Sequence, residues 1–161
     1  MASANPVLAA MQRGYRYLIY GGDALQSPLL LAVRLYWGWQ FYETGKGKLM
    51  NFAGTADYFA SLGIPAPMFN AYFVGGVECF GGLLLLVGLF SRPIALVLAG
   101  NMTVAYLTAH LDQVKSIWSD SDQFVSAAPF LFLLASLIVL CFGPGAFSAD
   151  RFLTGFFRKS A

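Results

Sequence analysis

The segment from residue 71 to residue 90 constrains this chain most, because it is apolar throughout except for one formal charge, Glu78. A helix needs about 20 mostly apolar residues to cross the hydrocarbon core of a bilayer. The rest of the composition agrees, since 58% of the 161 residues are hydrophobic and only 11% are charged. Soluble domains carry about 25% charged residues, and a small soluble fold could not hide so much apolar surface. The sequence therefore predicts an integral membrane protein of the all-α class.

Three further apolar segments complete a predicted four-helix bundle. The spans cover about residues 28–45, 71–90, 94–108 and 124–142. Ser91-Arg92-Pro93 predicts a very tight turn between the second and third spans, and Gly143-Pro144-Gly145 is expected to end the fourth. We divide the chain into an arm at 1–22, a four-span membrane domain at 23–145 and a basic amphipathic tail at 146–161.

The arm is predicted to form an amphipathic helix at the membrane interface. Asn5 and Pro6 are typical of a helix start, and Gly21 with Gly22 is typical of a helix end. Apolar residues recur between them at steps of three and four, opposite a polar face: Val7, Leu8, Met11, Tyr15, Leu18 and Ile19 oppose Gln12, Arg13 and Arg16. Helices of this kind lie in the plane of the membrane surface.

Lysines and arginines outside the spans predict the orientation, since cytoplasmic loops carry an excess of them. Six belong to the arm, the turn after the second span and the tail: Arg13, Arg16, Arg92, Arg151, Arg158 and Lys159. The opposite side has Lys46, Lys48 and Lys115. Both termini are therefore expected in the cytoplasm.

The first outer loop, at 47–70, is too apolar to be an ordinary solvated loop. Thr55 is expected to cap a short helix that contains Tyr58, Phe59 and Leu62 and is closed by Gly63 and Pro65. We expect this helix to lie over the outer mouth of the bundle.

The first span carries a stripe of residues at helical spacing: Arg34, Gly38, Phe41, Gly45 and Lys48. Steps of four and three place them on one helix face. Because a charged side chain turned toward lipid is costly, this face is expected to pack against other helices. Glu78 on the second span stands among four glycines, which would let another helix approach closely.

Side chains lean toward the N-terminus of their helix, so Lys48 is expected to lean toward Glu78. Two pairings stay open for Glu78: Lys48, through Gln40 or water, or Arg34. Arg34 could instead meet Asn101 on the third span. The charges could form a network that only fixes helix register, or a site for a ligand or a proton.

The cysteines and the acidic outer loop offer weaker signals. Cys79 and Cys141 are expected at different depths, too far apart for a disulfide. His110 and Asp112 are weak candidates for a metal site, because their spacing matches no standard one, and a solvated loop is the favoured interpretation. No motif of an autonomous enzyme occurs, and the scattered basic residues, with a net charge of +2, argue against nucleic-acid binding.

Over residues 30–153 the chain resembles the DoxX family of small prokaryotic four-span membrane proteins. The resemblance rests on the stripe from Arg34 to Lys48 and on four short motifs: FASLGIP at 59–65, ECFGG at 78–82, GLFSR at 88–92 and GPGAFSAD at 143–150. It implies a prokaryotic plasma-membrane location and a link to thiosulfate:quinone oxidoreduction or to membrane redox assemblies. It establishes no catalytic residues.

Three functions are compatible with these features. The first is a redox-linked subunit that binds a quinone or similar amphipathic molecule, with Arg34, Lys48 and Tyr72 as donors and Glu78 as proton relay. Five aromatic residues could line such a slot, although interfacial belt and core packing is the favoured explanation for them: Tyr36, Trp37, Trp39, Phe41 and Tyr72. The second is a scaffold without chemistry, assembled with itself or with other redox subunits. The third is an oligomeric transporter or lipid-binding protein.

Overall fold

The computed structural model describes residues 6–159, and within this range it contains helices and no strand. The helices are α1 Pro6–Met50, α2 Phe52–Ser61, α3 Pro67–Val87, α4 Ser91–Ala109, α5 Leu111–Lys115, α6 Ser121–Ser126, α7 Pro129–Phe142 and α8 Ala149–Lys159. The all-α prediction is confirmed for this range.

Helix α1 joins the predicted arm to the predicted first span without a break. The expected helix end at Gly21 and Gly22 is wrong, since both glycines and Pro28 lie inside the helix. A glycine in a helix costs only about 1 kcal/mol, so two glycines do not end a helix where nothing requires the chain to turn. Asn5, the predicted cap, lies outside the described residues. The interfacial position of the arm stays a prediction.

The turn after α3 lies three residues earlier than expected. Gly88 ends α3 with φ +76°, and its N–H donates to the carbonyls of Leu84 and Leu85. Ser91, Arg92 and Pro93 are not the turn but the first turn of α4. The fixed φ of proline suits the first turn of a helix, where its missing N–H costs nothing.

The predicted fourth span is divided in two. Helix α6 ends at Ser126, Ala127 is extended, and α7 starts at Pro129. Proline lacks the N–H that would continue a helix from the preceding turn. The apolar part that remains, α7, has 14 residues.

Among the helices described, Pro67–Val87 alone is long and apolar enough by itself to cross a membrane, and Pro129–Phe142 is apolar but shorter. Helices α1, α3, α4 and α7 nevertheless close a ring, because α1 contacts α3, α3 contacts α4, α4 contacts α7 and α7 contacts α1. The number of membrane crossings stays a prediction.

Glycines set the distance between α1 and α3, as the sequence predicted. A Cβ atom on Gly38 would lie 2.9 Å from the carbonyl oxygen of Gly82, and one on Gly45 would lie 2.7 Å from that of Gly75. Beside these contacts Phe41 and Leu85 are completely buried. The two helices run antiparallel with their backbones nearly touching.

Candidate ligand site at Glu78

Glu78 is buried, with 2% of its surface exposed, and both of its carboxylate oxygens have partners. The amino group of Lys48 donates to Oε2 and forms an ion pair with it. The side-chain amide of Asn101 donates to Oε1 over 2.9 Å. Three helices, α1, α3 and α4, thus contribute one side chain each. A carboxylate can be buried here because its charge is paired and its oxygens are hydrogen-bonded.

Of the two pairings left open for Glu78, the structure has the one with Lys48, and the contact is direct rather than through Gln40 or water. Lys48 stands in the last turn of α1 and leans back toward the start of that helix, where Gly45 brings α3 close enough to reach. Gln40 is not interposed, because its side-chain amide donates to the hydroxyl of Tyr36 over 3.3 Å.

A cavity of about 250 Å³ opens beside this ion pair. Lys48, Glu78 and Asn101 provide its polar wall, and His110 also borders it. The remaining wall is mainly apolar and includes Phe59, Leu62, Ile64, Val74, Met102, Ala105 and Phe132. The site therefore combines a charged, hydrogen-bonding patch with an apolar slot, as binding sites for small amphipathic ligands do.

Helix α2 and the loop after it lie against the cavity. Phe59 is buried against α3 and, with Ile64, borders the cavity. The helix starts at Phe52 rather than at Thr55, and the Thr55 hydroxyl donates to the carbonyl of Asn51 over 2.9 Å instead of capping it. Thr55 lies in the first turn of the helix, and its hydroxyl bonds back to the residue four positions earlier, so it is not the cap.

Arg34 does not meet Glu78 or Asn101, and both of those predictions are wrong. It is completely buried inside α1, about four turns before Lys48, where its NH2 group donates to the carbonyl of Phe147. Among the described residues its Nε and NH1 atoms have no hydrogen-bond partner. The side chain fills the space beside Gly88, where any Cβ atom would collide with NH1. The acceptor belongs to a segment far along the chain, so the spacing on the first span gave no sign of it.

The segment after α7 is hydrogen-bonded to the turn between α3 and α4 through Asp150. Its two carboxylate oxygens accept the backbone N–H groups of Phe90 over 2.8 Å and Ser91 over 2.9 Å. Its own N–H donates to the carbonyl of Gly88 over 2.9 Å. Asp150 thereby caps α4 from a distant position. Both motifs that supply these residues, GLFSR and GPGAFSAD, were visible in the sequence, but their contact was not.

Two other candidates stand outside the cavity lining. Tyr72 stacks on Phe52 at 3.8 Å between ring centroids and is 59% exposed. Gln40 is occupied with Tyr36 on the same helix. Phe132, which the sequence gave no reason to select, lines the cavity instead and packs edge-on against Trp37 at 5.0 Å and Phe41 at 4.7 Å.

The metal candidates separate in the structure. His110 borders the cavity and lies 6.1 Å from the ring of Tyr106, whereas the Asp112 side chain is 96% exposed and lies 4.0 Å from the amino group of Lys115. In the described part of the chain no three histidine, cysteine, aspartate or glutamate side chains cluster around a possible metal position. Cys79 and Cys141 are free thiols.

Comparison with known proteins places the chain in a family. The DoxX family model matches residues 29–111. "Inner membrane protein YphA" of Escherichia coli (strain K12) is 34% identical over 142 residues, which is 84% of this chain and 96% of that protein. "Inner membrane protein YqjF" of the same organism is 31% identical, over 80% of this chain and 95% of that protein. "Putative oxidoreductase CatD" of Bacillus subtilis (strain 168) is 28% identical, over 76% of this chain and 85% of that protein.

No solved structure matches the chain. The names of the Escherichia coli relatives support the bacterial plasma membrane as its location. With a family model that covers more than half of its length and relatives that align over most of theirs, the chain belongs to the DoxX family of membrane proteins.

Proposed function

We propose that this protein is a redox-linked membrane subunit that binds a quinone or a similar amphipathic small molecule in the cavity beside Glu78. One observation carries the proposal: an ion pair between the buried Glu78 and the partly exposed Lys48 lies on the wall of an otherwise mainly apolar cavity. A quinone needs an apolar slot and hydrogen-bond donors at its carbonyl oxygens. The name of the Bacillus subtilis relative supports a redox role.

The residues of the site have distinct tasks in this proposal. The Lys48 ammonium has three N–H donors; one contacts Glu78, and another donates to a ligand oxygen in the cavity. Asn101 holds Glu78 through its amide N–H and has its own carbonyl oxygen left to accept a ligand hydroxyl. Glu78 keeps Lys48 in position and exchanges protons with it. A bound quinone would supply the redox chemistry, with electrons from another redox subunit.

The membrane arrangement is part of the same proposal. We infer four crossings, formed by the second half of α1 and by α3, α4 and α7, with both termini in the cytoplasm. The ring of four helices and the excess of basic residues at one end support this topology. Single cysteines placed at Ser61, at Trp118 and after Ala161, in a chain lacking Cys79 and Cys141, test it. The first two should react with an impermeant thiol reagent on intact cells and the third should not; labelling of the terminus from outside would refute the orientation.

Ligand binding is tested on protein purified in mild detergent, by mass spectrometry of extracted lipids and by an optical spectrum. We expect a co-purifying quinone in the natural chain and its loss by at least tenfold in Lys48→Met and in Glu78→Gln. Glu43→Gln is the matched control, since Glu43 forms an exposed ion pair with Lys46 on the same helix. A protein without quinone that also fails to take up added ubiquinone-1 would refute the proposal.

A further inference from the structure

A second hollow lies at the Arg34 end of the molecule, away from the cavity beside Glu78. Its volume is about 580 Å³, and it lies between α1, the start of α4 and the segment that leads into α8. Two arginines from different elements border it: Arg92 in the first turn of α4 and Arg151 in the first turn of α8. We call it the basic hollow.

The two guanidinium groups of the basic hollow form no ion pair with the residues described. Arg92 donates to the carbonyl of Cys141 over 3.3 Å, and within residues 6–159 no carboxylate lies within ion-pair distance of either guanidinium. Asp150 also borders the hollow, but its two oxygens already accept the N–H groups of Phe90 and Ser91. The Asp150 carboxylate is thus hydrogen-bonded to the backbone at the start of α4. The guanidinium groups of Arg92 and Arg151 keep N–H donors that can bind a ligand.

The rest of the wall suits an amphipathic ligand. Leu30 and Phe142 provide apolar surface beside the arginines, and Ser27 and Thr154 provide hydroxyl groups. A ligand with an anionic head and an apolar body would satisfy both parts. Planar guanidinium groups match the oxygens of phosphate with paired N–H donors, and basic pockets between membrane helices bind phospholipid head groups.

We propose that the basic hollow is a binding site for a phosphate group, held between Arg92 and Arg151 and carried by a phospholipid or free in solution. The inference does not depend on the quinone proposal, because the two sites share no lining residue. Binding here would hold α8 to the start of α4 through the ligand, in addition to the contacts of Asp150.

The test compares probes on the full chain. Native mass spectrometry measures the affinity for phosphatidylglycerol and for inorganic phosphate, each added to delipidated protein. We expect Arg92→Gln and Arg151→Gln to weaken binding by about fivefold each, the usual effect of one basic residue beside an anionic lipid. Lys46→Gln/Lys115→Gln is the matched control, because it removes the same charge from exposed positions outside the basic hollow.

The outcomes separate the two sources. Arginine-dependent binding of phosphatidylglycerol supports the site and identifies lipid as the source, whereas arginine-dependent binding of inorganic phosphate alone identifies the free ion. Equal affinity in the natural chain and the double arginine variant would overturn the proposal, as would an equal loss in the lysine control.

The single variant Arg151→Gln separates a loss of binding from a loss of folding. The Arg151 side chain is exposed and makes no hydrogen bond among the described residues, so Arg151→Gln should melt like the natural chain. If the single variant Arg151→Gln binds both probes with the affinity of the natural chain, the proposal is overturned, even if the double variant Arg92→Gln/Arg151→Gln binds them more weakly.

Discussion

Arg34 and Glu78 are buried to almost the same degree, 0% and 2% exposed, yet their surroundings differ in kind. Arg34 is enclosed by backbone: its acceptor is the carbonyl of Phe147, and Gly88 leaves it just enough room. Glu78 is held by two side chains, the Lys48 ammonium and the Asn101 amide, and it borders a cavity. Burial of a charge alone therefore does not indicate function; the chemistry of the partners and the adjoining space separate a structural position from a candidate site.

The largest effect is expected from removing one member of the ion pair. Lys48→Met would leave a buried carboxylate without its cation and should lower the free energy of unfolding by about 3 kcal/mol. Lys48→Met/Glu78→Gln should recover most of the loss, because no unpaired charge then remains. Unfolding in mixed micelles measures both. A Lys48→Met variant as stable as the natural chain would mean that Glu78 is not held by Lys48.

At the Arg34 end, the sensitive position is a glycine. Gly88→Ala places a side chain at φ +76° and against the Arg34 guanidinium, and should cost about 2 kcal/mol. Gly100→Ala is the control. Gly100 lies within α4, and a Cβ atom added there would have no neighbour within 4 Å. Thermal melting measures the difference. If Gly88→Ala also weakened quinone binding in the folded protein, the surroundings of Arg34 would not be independent of the cavity beside Glu78.

A smaller effect is expected from the cap on α4. Asp150→Asn keeps one acceptor oxygen and loses the charge that favours a helix N-terminus, so stability should fall by about 1 kcal/mol. The basic hollow should then bind phosphatidylglycerol more tightly, because a negative charge beside it is gone. Weaker binding would contradict the role given to Asp150.

The smallest effect is expected at Tyr72, a residue that the sequence suggested and the cavity lining does not include. Tyr72→Phe keeps the ring stacked on Phe52 and removes only the hydroxyl. Melting temperature and quinone content should both stay unchanged. A loss of quinone in this variant would extend the site beyond the cavity.

The spacing of residues along the chain predicted features that depend on neighbouring turns within one helix or between two adjacent helices. The stripe from Arg34 to Lys48 identified the buried face of α1, and the lean of Lys48 made it one of two candidate partners for Glu78. Spacing could not predict the acceptor of Arg34, which is a backbone carbonyl 113 residues away. It also placed a helix end at Gly21 and Gly22, because glycine marks only where a helix can end and not whether the fold needs it to end there.

The position of Phe147 near the end of the chain has a consequence for biosynthesis. Lys48 and Glu78 lie on α1 and α3, so the membrane pair that neutralises Glu78 is complete once the ribosome has released α3. Among residues 6–159 Arg34 has no such early partner, since its acceptor is made only after α7. A nascent chain that stops before residue 147 therefore holds an unanchored arginine.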